Sequence, residues 1–177
     1  MATLFVDKID PQSGTSLTIG SSGDTVALTS GVVQSNLMYP AFLIYKNSNQ
    51  GISDATDTKV TWDAESIDTD NAFASDKFTV PSGEAGKYYF QATTEFANID
   101  DAEFAQILFY KNGSSQAGTT ARWYSPGSND DIRARTNVIL DLSVSDYVEV
   151  YVYHNEGSSQ NASNSETFFR GYKLIGV

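Results

Sequence analysis

The chain has 177 residues and carries 22 acidic against 11 basic side chains, a formal net charge of −11. That balance opposes nucleic-acid binding, which needs clustered Lys and Arg to neutralise phosphate, and the lack of cysteine excludes a disulfide framework and a thiolate metal site. Length and a 12% aromatic content suit one core-bearing all-β domain plus an appendage, and no apolar run approaches the roughly 20 residues that cross a bilayer as a helix.

In chain order, Met1 to Phe5 lacks the basic start of a secretory signal, so synthesis in a cytosol is expected. Residues 1–36 are rich in Ser, Thr and Gly, yet Leu17 and Ile19 form one alternating aliphatic pair and Val26 and Leu28 another. Alternation between glycines predicts short strands joined by tight turns. A single copy of so short a segment has no core, and three copies wound together would supply one.

From Pro40 onward, short runs alternating between apolar and polar residues recur with polar turns between them, the pattern of a sandwich whose strands each bury one face. Strands are predicted near Ala41 to Tyr45, Lys59 to Trp62, Lys77 to Val80, Gly86 to Phe96, Ala105 to Lys111, Thr119 to Tyr124, Asn137 to Leu142, Tyr147 to His154 and Thr167 to Ile175. Phe90 is expected to face inward. Asn112-Gly113 is the strongest hairpin signal, because both residues tolerate positive φ. Asn98 to Phe104 reads as either one helical turn or a solvated loop, and Asn155 to Glu166 as a polar loop.

For catalysis the inventory is thin. His154 is the sole histidine, no Gly-x-Ser-x-Gly elbow exists, and a histidine at a strand end beside Asn155 and Glu156 reads as a surface residue. Asp63, Glu65, Glu95, Glu103, Asp130 and Asp131 qualify by type for a glycosidase pair, a chemistry that demands two acids converging on one bond. Asp68-Thr69-Asp70-Asn71 places oxygen ligands as a calcium loop begins, but Phe73 stands where glycine is needed and no Glu closes the pattern. Calcium therefore has Asp68, Asp70 and Asp76 as weak candidates for an irregular site, and no other cofactor is implied. Gly83-Glu84-Ala85-Gly86-Lys87 lacks the length of a phosphate loop and reads as a turn between strands.

The segment from Arg122 to Asp131 joins an aromatic platform to polar acceptors, a combination that can stack on and hydrogen-bond a sugar ring. Either Trp123 is core, or it faces out; strand alternation sends Arg122 and Tyr124 the opposite way. The candidate binding residues are Arg122, Trp123, Tyr124, Asn129, Asp130 and Asn155.

Four ordered elements point further: Phe78-Thr79-Val80-Pro81, Gly86-Lys87-Tyr88-Tyr89-Phe90, Lys111-Asn112-Gly113 and Thr167-Phe168-Phe169-Arg170-Gly171. In that order and spacing the chain resembles the complement-1q and tumour necrosis factor jelly-roll heads over Pro40 to Val177. Leu140, Leu142 and Asp146 fit the family's Leu-x-Leu-x-x-Gly-Asp segment with Ser145 in place of its glycine, and one extra residue precedes Gly171. The resemblance implies an antiparallel jelly-roll sandwich at 37–177 that assembles as a homotrimer and recognises ligands without catalysis. No Gly-x-y collagen repeat accompanies it.

Residues 1–36 instead resemble segments that precede such heads in bacteriophage structural proteins, through Asp7-Lys8-Ile9-Asp10, Ser13 to Ile19 and Gly23-Asp24-Thr25-Val26. That resemblance implies a virion protein made in the bacterial cytoplasm, with this segment docking on other virion proteins or trimerising. Three functions follow as expectations: tail-fibre or spike-like attachment to a host surface glycan or protein, decoration of a capsid at threefold positions, or glycan cleavage by carboxylates between subunits.

Overall fold

The computed structural model describes residues 40–174 except Ser165, together with Ser22 and Thr25. The paired strands expected around Leu17, Ile19, Val26 and Leu28 lie outside the described residues. Fourteen strands follow one another among those described, without a helix: β1 (Ala41–Tyr45), β2 (Gln50–Ile52), β3 (Thr58–Lys59), β4 (Ala64–Asp68), β5 (Phe73–Ala74), β6 (Lys77–Thr79) and β7 (Gly86–Ile99). They continue with β8 (Phe104–Lys111), β9 (Ser114–Ser115), β10 (Ala121–Tyr124), β11 (Asp130–Leu142), β12 (Tyr147–His154), β13 (Gln160–Ala162) and β14 (Phe168–Lys173).

Two antiparallel seven-stranded sheets result. The first runs β2-β13-β7-β14-β1-β4, with β11 closing the free side of β7; the second runs β10-β8-β12-β6-β5, with β3 on β12 and β9 on β8. Apart from the short β5–β6 and β8–β9 hairpins the neighbours are non-sequential, which makes this a jelly roll and not a meander. The core lies between the sheets and is largely aromatic: Phe42, Phe78, Tyr88, Phe90, Phe96, Phe109 and Phe169 are all buried there. Large and small residues alternate across the first sheet. One row reads Phe42, Gly171, Phe90 and the next Ile44, Phe169, Ala92, so each bulky ring sits opposite space left by its neighbours.

The predicted Asn-Gly hairpin forms, with Asn112 at φ +51° and Gly113 at φ +76°. Asp146 anchors it to the turn before β12. Its carboxylate accepts from Asn112 Nδ2 at 2.7 Å and from the Ser143 amide at 2.8 Å, and pairs with Lys111 Nζ at 2.9 Å. Beside it Ser145 adopts φ +71°, a left-handed conformation that favours glycine, so the turn is kept at some backbone cost.

The Asn112 hydrogen bond first, then Lys111 and the Ser143 amide, hold the Asp146 carboxyl at about 2 against an ordinary 3.8. A depressed folded-state value favours folding only while the group is ionised, so this contribution is complete above the ordinary value and fades as pH falls towards 2. Asp146→Asn should therefore cost about 1–2 kcal/mol at neutral pH, after allowance for solvent screening. The gap between the two proteins in urea unfolding should narrow steadily below about pH 4. A gap independent of pH would assign the role of Asp146 to shape and not to charge.

Several expectations are corrected. Of the two readings of Asn98 to Phe104 the solvated loop holds, but shorter than expected: Asn98 and Ile99 still belong to β7, Asp100 to Glu103 form a turn with Asp100, Asp101 and Ala102 exposed, and β8 begins at Phe104. The loop from Asn155 to Glu166 contains β13, which pairs with β2. The strand predicted from Asn137 begins at Asp130, seven residues earlier. Lys59 to Trp62 shrinks to β3 plus an irregular segment. His154 is no surface residue; it continues the inward row Val148, Val150, Val152 and is fully buried, packed edge-on against Phe96. Its Nε2 meets the Ile52 carbonyl at 3.0 Å, which satisfies the buried ring and ties β12 to β2.

Candidate functional site

Among the described residues β10 pairs with β8 alone and β11 with β7 alone, so each stands at an edge of its sheet. Between them lies a groove of about 820 Å³ lined by Glu95, Trp123, Tyr124, Asp131, Ile132, Arg133 and Arg135, with Pro126 at its end. Alternation along β11 builds one wall: Ile132, Ala134 and Thr136 turn into the core while Asp131, Arg133 and Arg135 face out.

Strand parity holds on β10, but position at the edge overrides its usual consequence. Arg122 and Tyr124 belong to the outer face of the second sheet, in register with Gln106 and Phe104. Trp123 is in register with the core residue Ala105, yet stays 41% exposed because no strand among the described residues pairs beyond it; Tyr124 is 59% exposed. Of the two readings of Trp123, core or outward, the structure has an exposed indole facing the groove.

On the outer face, Phe104 is the hub of an aromatic platform. Tyr124 lies 5.4 Å from it, Tyr153 stacks at 5.7 Å, and the Arg122 guanidinium sits 4.0 Å over its ring while bonding Gln106. Tyr110 and Tyr151 stack at 3.9 Å farther along the same sheet.

The other predicted binding residues are distributed around this region. Asn129, at φ +57°, donates its amide to the Asp100 carboxylate, leaving its side chain exposed at the turn into β11. Asp130 starts β11 opposite Ile99. Asn155 is committed to structure: its Oδ1 accepts from the Phe104 amide at 2.8 Å, which pins the start of β8. Sequence reasoning missed Ile132, Arg133 and Arg135 as groove residues, although Ile-Arg-Ala-Arg-Thr is itself an alternating signal for a strand with a charged outer face.

Of the four arginines in the chain, three are held in place. Arg122 lies on Phe104, Arg170 bonds Gln91 and sits over Phe168, and Arg133 pairs with the nearly buried Glu95, with Glu166 at 3.9 Å. Arg135 has no hydrogen-bond or ion-pair partner among the described residues.

The carboxylates considered for catalysis are scattered. Asp63 and Glu65 line a second groove of about 330 Å³ with Trp62 and Asp76. Burial would raise the Asp63 carboxyl, but hydrogen bonds from Ser48 and Asn47 and the Lys46 ammonium outweigh it, so the group titrates below its ordinary range. A glycosidase acid needs the opposite shift. Glu95 and Asp131 belong to the larger groove, where Arg133 neutralises Glu95.

Two of the three weak calcium candidates, Asp68 and Asp76, bond the backbone. Asp68 accepts from the amides of Ala72 and Phe73, both at 2.9 Å, and Asp76 from that of Trp62 at 2.7 Å. Among the described residues no three His, Cys, Asp or Glu side chains converge as a metal site would require.

No protein-family model matches the chain, and no curated protein matches it. Solved structures do. The globular domain of zebrafish complement 1qA aligns over 77% of this chain and 98% of its own, with a TM-score of 0.52 and 16% identity. Murine APRIL at pH 5.0 aligns over 76% of this chain and 98% of its own, with a TM-score of 0.55 and 14% identity. The fold is that of the complement-1q and tumour necrosis factor-like jelly rolls, as the ordered sequence elements imply.

Proposed function

We propose that this protein is a non-enzymatic, homotrimeric bacteriophage virion protein whose jelly roll attaches to a host surface ligand while residues 1–36 dock on the particle. One observation carries the trimeric part. The outer face of the first sheet presents a continuous row of Ile139, Tyr89 and Tyr172, with Tyr89 and Tyr172 in ring contact at 5.4 Å and Ile139 58% exposed. Leu43, Ile67, Tyr45 and Phe168 lie on the same face across β14, β1 and β4, around the polar Arg170–Gln91 pair that separates them from that row. An apolar sheet face of this breadth favours burial against copies of itself. The virion part is supported by the resemblance of residues 1–36 to segments of phage structural proteins, and the recognition part by the exposed aromatics of β10. Three linked sites would add avidity to weak single contacts.

The purified chain should sediment at three times 19.3 kDa at micromolar concentration, and adsorb to the bacterium in which the virus propagates. A monomeric mass would overturn the trimer. Failure to adsorb, joined to tight binding of empty capsids, would replace attachment by capsid decoration.

A further inference from the structure

We propose that the groove between β10 and β11 holds a carboxylate-bearing sugar of an acidic polysaccharide, with the Trp123 indole stacked on the ring and the Arg135 guanidinium paired with the carboxylate. The inference names the ligand class of the attachment reading and rests on it.

The net charge of −11 repels a polyanion at long range, so recognition of an acidic sugar rests on short-range pairing at a single open guanidinium; the other three arginines are all engaged by carboxylates, amides or rings. Within the groove, Arg133 serves Glu95, Glu166 and the field of Asp131, and Asp131 Oδ1 also accepts weakly from the Asn98 amide at 3.4 Å. The charges of that wall are mutually satisfied, which leaves the fork of Arg135 as the open donor. A planar guanidinium binds a carboxylate through two parallel hydrogen bonds, a geometry neutral sugars cannot supply.

Trp123 gives the second half. A large apolar ring 41% exposed on an edge strand forgoes burial, and it does so facing the same groove as Arg135. Indole offers a flat surface on which the C–H face of a pyranose packs, and its N–H remains free to reach a hydroxyl. Tyr124 and Ile132 widen the apolar floor. At about 820 Å³ the groove has the dimensions of a small-ligand site.

The test uses the full chain with polygalacturonate, hyaluronate and polysialic acid, each beside its carboxyl-reduced counterpart, followed by tryptophan fluorescence and calorimetry. At least one acidic polymer should bind and change the emission. Carboxyl reduction, or Arg135→Gln, should weaken that binding about tenfold or more, with Arg135→Lys recovering part of it. Trp123→Leu should abolish the emission change. Arg135 is exposed within one copy and bonds no described residue, so Arg135→Gln should leave the melting temperature unaltered. Equal binding of acidic and reduced polymers, indifference to Arg135→Gln, or no binding across the panel would each overturn the inference. If cells are still adsorbed in those cases, attachment stands and only the ligand class falls; if adsorption is lost as well, the attachment reading fails independently.

Discussion

Phe90→Ala should lower the stability of the jelly roll by about 3–5 kcal/mol, read as a shift in the denaturation midpoint at fixed protein concentration. Phe90 has no exposed surface, and its ring lies within 6.3 Å of those of Phe42, Phe78, Tyr88, Phe109 and Phe169. These neighbours come from five different strands of both sheets, so none can collapse into the void without pulling its own strand. The cost is therefore transfer plus a retained cavity, not transfer alone. Ser159→Ala, which removes an exposed-loop hydroxyl bonded to the Ile52 carbonyl, should move the midpoint far less. Similar shifts for the two would mean that the aromatic cluster repacks around the loss.

Much of this architecture can be read from the sequence because aromatic and β-branched residues alternate where a strand packs on both sheets' shared core. β1 and β12 coincide with the predicted runs, and β8 begins only one residue earlier. What escapes prediction is held by neighbours and not by its own residues. Gln50–Ile52 and Gln160–Ala162 are polar segments that become strands only by pairing with each other and, through Ala162, with Phe96. The first half of β11 hides for a related reason: its inward residues include only Ala134 and Thr136 beside Ile132, small side chains that give a weak apolar signal.

The site divides in the same way. Exposed aromatics at Trp123 and Tyr124 are foreseeable from an aromatic pair beside a polar turn, but alternation predicts one of them buried. Both are exposed because β10 is an edge, a property of sheet order that no local pattern contains. Arg135 joins Trp123 across strands that belong to different sheets, a proximity set by the closure of the sandwich. His154 shows the reverse error: polarity suggested the surface, while simple parity with Val148, Val150 and Val152 placed it in the core.

Gly171→Ala should be as damaging as the loss of a core side chain, although it adds a single methyl group. Gly171 lies in β14 between Phe42 on β1 and Phe90 on β7, all three turned into the core. A Cβ there would stand 2.5 Å from Phe90 Cδ1 and 2.9 Å from Phe42 Cε1, inside any tolerated contact. The backbone at Gly171 is not in the left-handed region, so the penalty is one of space and not of φ. Phe90 is boxed in by its ring neighbours and cannot retreat, which sets the expected cost at about 3 kcal/mol, the upper part of the overpacking range. This explains why a glycine is needed at the centre of a strand that would otherwise favour a β-branched residue. The decisive measurement is a double-mutant cycle with Phe90→Leu, whose smaller side chain vacates part of the contested volume. The two changes together should cost at least about 1 kcal/mol less than the sum of their separate effects. Strict additivity would show that Gly171 is required for something other than room for Phe90, because two residues competing for one volume cannot act independently.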